Sequence, residues 1–174
     1  TQVEVSPRQQ VCVIGDGKLG ALAARVLAFA GAHVTVVGRH DKKLTPLREE
    51  GIETILEEPG QKSLEWRFSL VVEASGRPEG IQRAFDLIQP RGTLVLKTTC
   101  AETKPLNLAP IVVDEITVIG SRCGRFPPAI NALQTGTIKP ELTIEKRFTL
   151  DKAAEAFEAA AMTGAGKVIF EVAA

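Results

Sequence analysis

Three glycines at the end of a strand-like segment constrain this chain more than any other feature. The segment from Gln9 to Ile14 is apolar from Val11 onward and runs directly into the hexapeptide G-D-G-K-L-G at residues 15–20. The alanine-rich stretch over residues 21–30 that follows has the composition of a helix. Strand, glycine turn and helix in this order predict the first βαβ unit of a doubly wound α/β sheet.

Each glycine has a separate physical role in such a turn. Gly15 allows the tight turn out of the strand, Gly17 leaves space where a pyrophosphate approaches the backbone, and Gly20 lets the helix pack closely on the sheet. The helix begins near Lys18 and Leu19, and its first turn presents free N–H groups and the positive end of the helix dipole. The pattern predicts a dinucleotide-binding site, and the alternative is a tight turn with a structural role only.

The composition and charge narrow the classes of protein to which the chain can belong. Its 174 residues are 44% hydrophobic and 24% charged, which is typical of a globular domain with a sizeable core. The 21 basic and 21 acidic residues balance, so we expect no nucleic-acid partner, because polyphosphate binding needs a basic surplus. No apolar run reaches the ~20 residues of a membrane span and no signal-peptide pattern occurs, so we expect a cytoplasmic protein without a membrane partner.

The cysteines and histidines predict neither a disulfide framework nor a metal site. Cys12, Cys100 and Cys123 are far apart and form no C-x-x-C spacing. His33 and His40 do not stand at metal-ligand spacing from another Cys, His or Glu. We therefore expect no zinc in this chain, and we interpret Cys12 on the first strand as a small buried hydrophobic residue.

Strand-like and helix-like segments continue to alternate after the first unit. Apolar runs follow at residues 33–37, 53–56, 69–73, 93–97 and 115–120. Because most of these runs are continuously apolar, they predict a mostly parallel six-stranded sheet with helices on both faces. We expect a dinucleotide-binding Rossmann domain over residues 1–137, followed by a C-terminal strand-helix-strand extension over residues 138–174.

The residues that follow the strands are the candidates for ligand binding, because ligands of a doubly wound sheet lie beyond the carboxyl ends of its strands. These candidates are Gly15, Gly17, Lys18, Leu19 and Gly20 after the first strand, Gly38, Arg39 and His40 after the second, Ala74, Ser75 and Gly76 after the fourth, Thr98 and Thr99 after the fifth, and Arg122 after the sixth. The small residues after the fourth strand let a flat ring or a ribose approach the backbone. The alternative there is a turn that needs Ser and Gly.

The end of the second strand predicts which dinucleotide is preferred. An NAD site normally has Asp or Glu about 20 residues after the glycines, where the acid accepts a hydrogen bond from the ribose 2′-hydroxyl. This chain has Gly38 and Arg39 there, with Lys43 close by. Without the acid, a guanidinium favours a 2′-phosphate, so we expect NADP as the cofactor and NAD as the second choice. The alternative is that the cations are solvated and Asp41 holds a 2′-hydroxyl.

An ordered set of longer motifs extends from Gln9 to the C-terminus. It comprises V-V-G-R-H-D-K-K-L, L-V-V-E-A-S-G, R-A-F-D-L-I-Q-P-R-G-T-L-V-L-K, I-T-V-I-G-S-R-C-G-R-F, and the tail segments at residues 148–157 and 166–172. In this order the motifs resemble the cofactor domain of the medium-chain, zinc-type alcohol dehydrogenases. One departure is Gly38, which stands where that family commonly has Asp.

The resemblance implies roles for the candidate residues and for the chain as a whole. It implies Lys18 and Leu19 against the pyrophosphate, Gly38 and Arg39 against the adenosine ribose, residues 74–76 under the adenine and ribose side, and Thr98 and Thr99 near the nicotinamide. It implies Arg122 at the nicotinamide side or the phosphates, and the alternative is a surface arginine at the edge of the sheet. The family's separate catalytic domain, which carries the zinc ligands, has no counterpart in this sequence. The resemblance therefore implies an oxidoreductase part that binds cofactor but does not catalyse alone.

Two partners follow from the same resemblance. In the family the sixth strand often pairs with its twin across a two-fold axis, so we expect a homodimer through Glu115 to Gly120. The tail helix is amphipathic, with Leu150, Ala153, Phe157 and Ala161 at three- and four-residue spacing. This stripe must be buried against the chain's own sheet, a second copy, or a catalytic-domain partner.

Three rival classes can be compared with this interpretation. An active short-chain dehydrogenase needs a Tyr-x-x-x-Lys pair, and the chain has no Tyr. A Rossmann-type methyltransferase favours an acid at the end of the second strand, where this chain has Gly38. A stand-alone regulatory module that senses a nucleotide remains open as the alternative function.

Overall fold

Strands and helices alternate along the computed structural model, which describes residues 2–58, 67–100, 104–162 and 164–172. The strands are β1 (Gln10–Ile14), β2 (His33–Gly38), β3 (Glu53–Leu56), β4 (Phe68–Glu73), β5 (Ile88–Leu96), β6 (Thr117–Gly120), β7 (Ile144–Thr149) and β8 (Lys167–Glu171). The α-helices are α1 (Lys18–Phe29), α2 (Asp41–Glu49), α3 (Pro78–Leu87), α4 (Ala109–Val113), α5 (Phe126–Gln134) and α6 (Ala153–Ala161). Short 3₁₀ turns precede β7 and α6, at Pro140–Thr143 and Leu150–Lys152.

The first six strands form one parallel sheet in the order β3-β2-β1-β4-β5-β6. The chain starts at β1, moves outward to β3, crosses back to β4 beside β1, and then moves outward in the other direction. The strand order therefore reverses between β1 and β4, which is the place where a doubly wound sheet opens a crevice for a ligand. The predicted fold class, a six-stranded Rossmann sheet, is confirmed.

Helices cover both faces of this sheet because successive side chains of a buried strand point to opposite sides. On β1, Val11 and Val13 belong to a core that also contains buried residues of α1 and α2. Cys12 and Ile14 belong to a second core with buried residues of α3. The prediction that Cys12 is a buried hydrophobic residue is confirmed, and burial raises the pKa of its thiol so that it stays neutral.

Two strands start more than one residue away from their predicted first residue. The fifth strand begins at Ile88 rather than Thr93, and its pairing with β4 shifts register between Phe68 and Leu70. An added Cβ at Gly92 would lie 2.6 Å from Ile88 Cγ1, so the glycine permits the irregular stretch that contains Pro90. The sixth strand begins at Thr117 rather than Glu115, because Glu115 has a φ of +52°, which is not a strand conformation.

In addition to the Rossmann sheet, the tail contributes a pair of strands. Strands β7 and β8 pair in parallel as a separate two-stranded sheet, and α6 connects them. The rings of Phe157 and Phe170 approach to 6.2 Å between centroids, which fixes α6 on this sheet. Phe157 nevertheless remains 70% exposed and Leu150 57% exposed. Within the described residues, no helix is long and apolar enough to cross a membrane.

Candidate functional site

The carboxyl ends of the central strands meet at one edge of the sheet. Backbone N–H groups just beyond a strand donate to the last carbonyls of the neighbouring strand, as in Gly15 to Val37 (2.8 Å), Ala74 to Ile14 (2.8 Å) and Lys97 to Glu73 (2.9 Å). These hydrogen bonds hold the loops after β1, β4 and β5 side by side. The predicted candidates therefore start from a common edge, at the point where the strand order reverses.

The three glycines of the first loop are crowded to different degrees. Gly15 has a φ of +116°, and an added Cβ would lie 2.7 Å from the Ala74 carbonyl oxygen. A Cβ at Gly20 would lie 2.0 Å from the carbonyl oxygen of Gly15, so α1 packs directly on the turn. At Gly17 an added Cβ would meet nothing within 4 Å. The open space beside Gly17 is where a ligand can reach the backbone, while Gly15 and Gly20 shape the turn itself.

The N-terminus of α1 faces this open space without a side-chain cap. Gly17 is the N-cap residue and has no side chain that could accept hydrogen bonds from the first-turn amides. The first turn contains no acidic residue, and Lys18 and Leu19 are exposed there. Free amides together with the helix dipole favour an anion, so the loop is suited to the diphosphate of a dinucleotide.

An acidic side chain does lie at the end of β2, although it comes from the glycine loop. Asp16 Oδ2 accepts hydrogen bonds from the backbone N–H groups of Arg39 and His40, both at 2.7 Å. The Nδ1–H of His40 also donates to this carboxylate, at 2.9 Å from Oδ2 and 3.1 Å from Oδ1. The sequence analysis did not identify Asp16, because it occupies a variable position of the glycine pattern.

Gly38 makes room for this carboxylate. A Cβ at Gly38 would lie 2.6 Å from Asp16 Cβ and 2.7 Å from Asp16 Oδ2. One packing contact therefore links two features of the sequence. Glycine stands at position 38, where the family commonly has an acid, and an acid, Asp16, stands between the first two glycines of the loop. That pair of residues is the sequence signal from which the position of Asp16 could have been predicted.

A cavity of about 250 Å³ lies along the strand ends. Its walls include six of the predicted residues, namely Gly15, Gly17, Gly38, Arg39, His40 and Ser75. Cationic side chains of Lys43, Arg77 and Arg83 line it as well, and the Nε of Arg83 lies 2.6 Å from Glu57 Oε1. We call this space the strand-edge cavity.

The loop after β4 is held by hydrogen bonds to its own strand and to the loop after β5. Glu73 Oε1 accepts hydrogen bonds from the Ser75 N–H at 2.8 Å and from the Ser75 hydroxyl at 2.6 Å. The Gly76 N–H donates to Thr98 Oγ1 at 2.9 Å. Ala74, which is half-buried, is bonded to β1. The structure thus brings residues 74–76 and Thr98 together.

Two predicted residues are not among those that these hydrogen bonds connect. Thr99 and Arg122 are exposed. They line neither the strand-edge cavity nor a second cavity, which lies between Gly17 and residues 164–166. The Arg122 carbonyl accepts a hydrogen bond from Lys97 Nζ, which ties the end of β6 to the end of β5. Their assignment to the nicotinamide side stays a prediction.

The tail reaches the other side of the glycine loop. A second cavity of about 380 Å³, the tail cavity, is lined by Gly17 and Lys18 on one side and by residues 164–166 on the other. Lys18 Nζ donates to the Gly166 carbonyl at 3.4 Å, and the Gly166 N–H donates to the Glu145 carboxylate. That hydrogen bond holds the pKa of Glu145 below its usual value, and nearby lysines add to the effect.

The described residues contain no group of three or more His, Cys, Asp or Glu side chains that could hold a metal ion. What the arrangement offers chemically is binding: uncapped amides, a cavity wall that carries cations such as Arg39 and Lys43 together with the acids Glu57 and Glu79, and a fixed carboxylate at the end of β2.

Comparison with known proteins agrees with this geometry. A family model described as zinc-binding dehydrogenase matches residues 19–135. Sorbitol dehydrogenase of Mus musculus is 29% identical over 169 residues, covering 90% of this chain and 47% of that protein. The starvation-sensing protein RspB of Escherichia coli is 27% identical over 161 residues, covering 84% of this chain and 46% of that protein. The chain thus spans about half the length of the curated relatives it matches.

Solved structures share the fold. The L-idonate 5-dehydrogenase of Escherichia coli superposes with a TM-score of 0.83 at 21% identity, over 94% of this chain and 50% of that chain. A protein of Sinorhizobium meliloti, described as a zinc-binding dehydrogenase and bound to NADP, gives 0.83 at 24% identity, over 96% and 54%. The rspB protein of Escherichia coli, complexed with NADH, gives 0.81 at 25% identity, over 94% and 52%.

Proposed function

Because the chain belongs to the zinc-binding dehydrogenase family, we propose that it binds a nicotinamide dinucleotide along the carboxyl edge of its parallel sheet. The observation that supports this proposal most directly is the open space at Gly17 beside the uncapped N-terminus of α1. The diphosphate lies against the amides of residues 17–20. The adenosine side occupies the strand-edge cavity, and the nicotinamide side extends toward Thr98, Thr99 and Arg122.

We propose that NADP(H) is preferred over NAD(H). Arg39 and Lys43 stand on the wall of the strand-edge cavity, close to the end of β2 where a 2′-phosphate would lie. A guanidinium binds a phosphate bidentately, and such charge-assisted hydrogen bonds contribute about 1.5–3 kcal/mol each. The fold itself does not decide the choice, since one similar structure holds NADP and another holds NADH.

The test is calorimetric titration of the chain with NADPH and with NADH. We expect saturable binding of both, with NADPH binding about tenfold or more tightly. In the variant Arg39→Ala this ratio should fall toward one, whereas Arg91→Ala, at an exposed cation outside the cavities, should leave it unchanged. Tighter binding of NADH by the parent chain, or a ratio insensitive to Arg39→Ala, contradicts the proposed preference.

We propose further that the chain is the cofactor-binding part of an alcohol or polyol dehydrogenase. The substrate class is suggested by relatives such as sorbitol dehydrogenase. In this proposal residues 1–137 form the dinucleotide domain, and residues 138–174 form an extension whose exposed Leu150 and Phe157 pack on a catalytic-domain partner. Cofactor oxidation or reduction by the protein together with that partner supports an enzyme, and binding without turnover supports a regulatory module.

We also propose a homodimer formed through β6. This strand lies at the edge of the sheet, where it pairs with β5 alone among the described strands, and its Gly120 carbonyl accepts a hydrogen bond from Gln2 Nε2 at 3.4 Å. Apolar side chains around it are exposed, among them Val118 on the strand and Val112, Val113 and Phe126 on the adjacent helices. A second copy related by a two-fold axis would pair the two strands and cover these side chains.

A further inference from the structure

The Asp16 carboxylate is fixed at the end of β2 by three donors. Two are the backbone N–H groups of Arg39 and His40, and the third is the imidazole Nδ1–H of His40. The Asp16 side chain is only 9% exposed. Two of its donors are backbone amides, so its position does not depend on the rotamer of another side chain. The Asp16 carboxylate is therefore a fixed part of this end of the strand-edge cavity.

The hydrogen bonds leave one oxygen of this carboxylate with spare capacity. Oδ2 accepts hydrogen bonds from the two amides at 2.7 Å, while the one contact of Oδ1 with the described residues is the longer one of 3.1 Å to His40. An ionised carboxylate has about four acceptor positions, so Oδ1 can accept a further hydrogen bond from a hydroxyl group. A phosphate brought to the same amides would instead meet like charge and compete with Asp16 for its donors.

We propose that Asp16 is a specificity-determining residue for the cofactor's adenosine ribose. Its carboxylate accepts a hydrogen bond from the 2′-hydroxyl of NAD(H) and repels the 2′-phosphate of NADP(H). It therefore limits the preference for NADP(H) that Arg39 and Lys43 create. The inference rests on the proposed dinucleotide site and adds a second determinant to it. The acid that binds the ribose comes from the glycine loop. Glycine is required at position 38 because a Cβ added there would overlap Asp16.

The first test is the substitution Asp16→Asn, which keeps the size of the side chain and removes its charge. Binding of NADPH and NADH is measured by calorimetry, and the fold is checked by thermal unfolding. We expect the ratio of the two affinities to move about tenfold or more toward NADPH. ADP and adenosine 2′,5′-bisphosphate, which lack the nicotinamide, should show the same change if the effect lies at the adenosine end.

The matched control is Asp41→Asn. Asp41 is an exposed acid at the start of α2, paired with Arg48 and outside both cavities, so the same charge is removed nearby. The ratio should stay within about twofold of the parent chain, because exposed charges are screened by solvent and salt. If Asp41→Asn shifts the ratio as much as Asp16→Asn does, the acid that matters is Asp41 or general charge, and the inference fails.

A relocation variant tests the geometry independently. In Asp16→Gly with Gly38→Asp, the acid moves from the loop to the strand. Loss of the Asp16 side chain removes two of the three close contacts of the new Cβ, and the third, at 2.9 Å to Leu44 Cδ2, requires a small shift of that side chain. We expect the double variant to bind NADH at least as well as the parent chain, and Gly38→Asp alone to bind both cofactors more weakly because the two acids collide. Weak NADH binding by a folded double variant contradicts the inference.

The outcomes separate the two proposals. If the parent chain binds neither dinucleotide, the proposed function fails and the inference fails with it. If the parent chain binds dinucleotide and Asp16→Asn leaves the NADPH to NADH ratio unchanged, the proposed function stands and the role of Asp16 is wrong.

Discussion

Gly17 and Gly20 stand three positions apart in one loop, yet a side chain would have opposite consequences at the two positions. A methyl group at Gly20 would press on the Gly15 carbonyl at 2.0 Å, whereas one at Gly17 would project into open space. Gly17 has a φ of −78°, which alanine adopts readily. One glycine therefore maintains the fold and the other maintains access to the backbone.

We predict that Gly17→Ala and Gly20→Ala separate stability from binding. Gly17→Ala should change the free energy of unfolding by less than about 0.5 kcal/mol, while dinucleotide affinity falls about tenfold or more because the methyl group blocks the diphosphate. Gly20→Ala should lower the free energy of unfolding by about 1–3 kcal/mol through overpacking. Denaturant unfolding and calorimetry measure the two effects, and equal losses of stability would contradict the assignment.

At the residue scale, the sequence predicted those site residues that follow from the general rules for a dinucleotide-binding turn and for the end of the second strand. Gly15, Gly17 and Gly20 follow from the requirements of the turn, and Gly38 and Arg39 were identified as the unusual end of β2. Asp16 was not predicted, because its partners are the backbone amides of residues 39 and 40, which are distant in sequence. Only the packing of the first loop against the second strand end brings them together.

At the element scale, continuous apolar runs located the strands well and their first residues poorly. The starts of β5 and β6 were misplaced by several residues, because the irregular stretch before Thr93 pairs with β4 and because Glu115 adopts a positive φ. Neither feature leaves a hydrophobic pattern. The helix and strand of the tail were predicted from the resemblance of residues 148–157 and 166–172 to the family. The amphipathic stripe of α6 indicated a face to be buried, but it did not reveal how much of that face remains exposed.

The central sheet and the tail should differ in stability. Phe68 on β4 is 2% exposed, whereas Phe157 on α6 is 70% exposed. We predict that Phe68→Ala lowers the free energy of unfolding by about 3–5 kcal/mol, because it leaves a cavity in the core. Phe157→Ala should cost less than about 1 kcal/mol in the chain alone. Denaturant titration of the two variants tests this, and a large loss for Phe157→Ala would mean that the tail is part of the cooperative core.

At the scale of the whole molecule, the edge strand β6 is the surface through which we expect two copies of the chain to associate. We predict a dimer in multi-angle light scattering, and a monomer for Val118→Lys, because a charge on an edge strand prevents strand pairing. Val172→Lys places the same charge at another exposed valine, beyond β8, and should leave the dimer intact. A monomeric parent chain, or a dimer that survives Val118→Lys, contradicts the proposed interface.

The backbone amides between β1 and α1 are the proposed binding site of the cofactor's diphosphate. The most direct measurement is the change in backbone amide chemical shifts of the ¹⁵N-labelled chain when NADPH is added. We predict that the largest changes fall on residues 15–20, with further changes at residues 38–40 and 74–76, and that they saturate together. An absence of changes at residues 15–20, or saturable changes confined to the tail or to β6, would contradict the account.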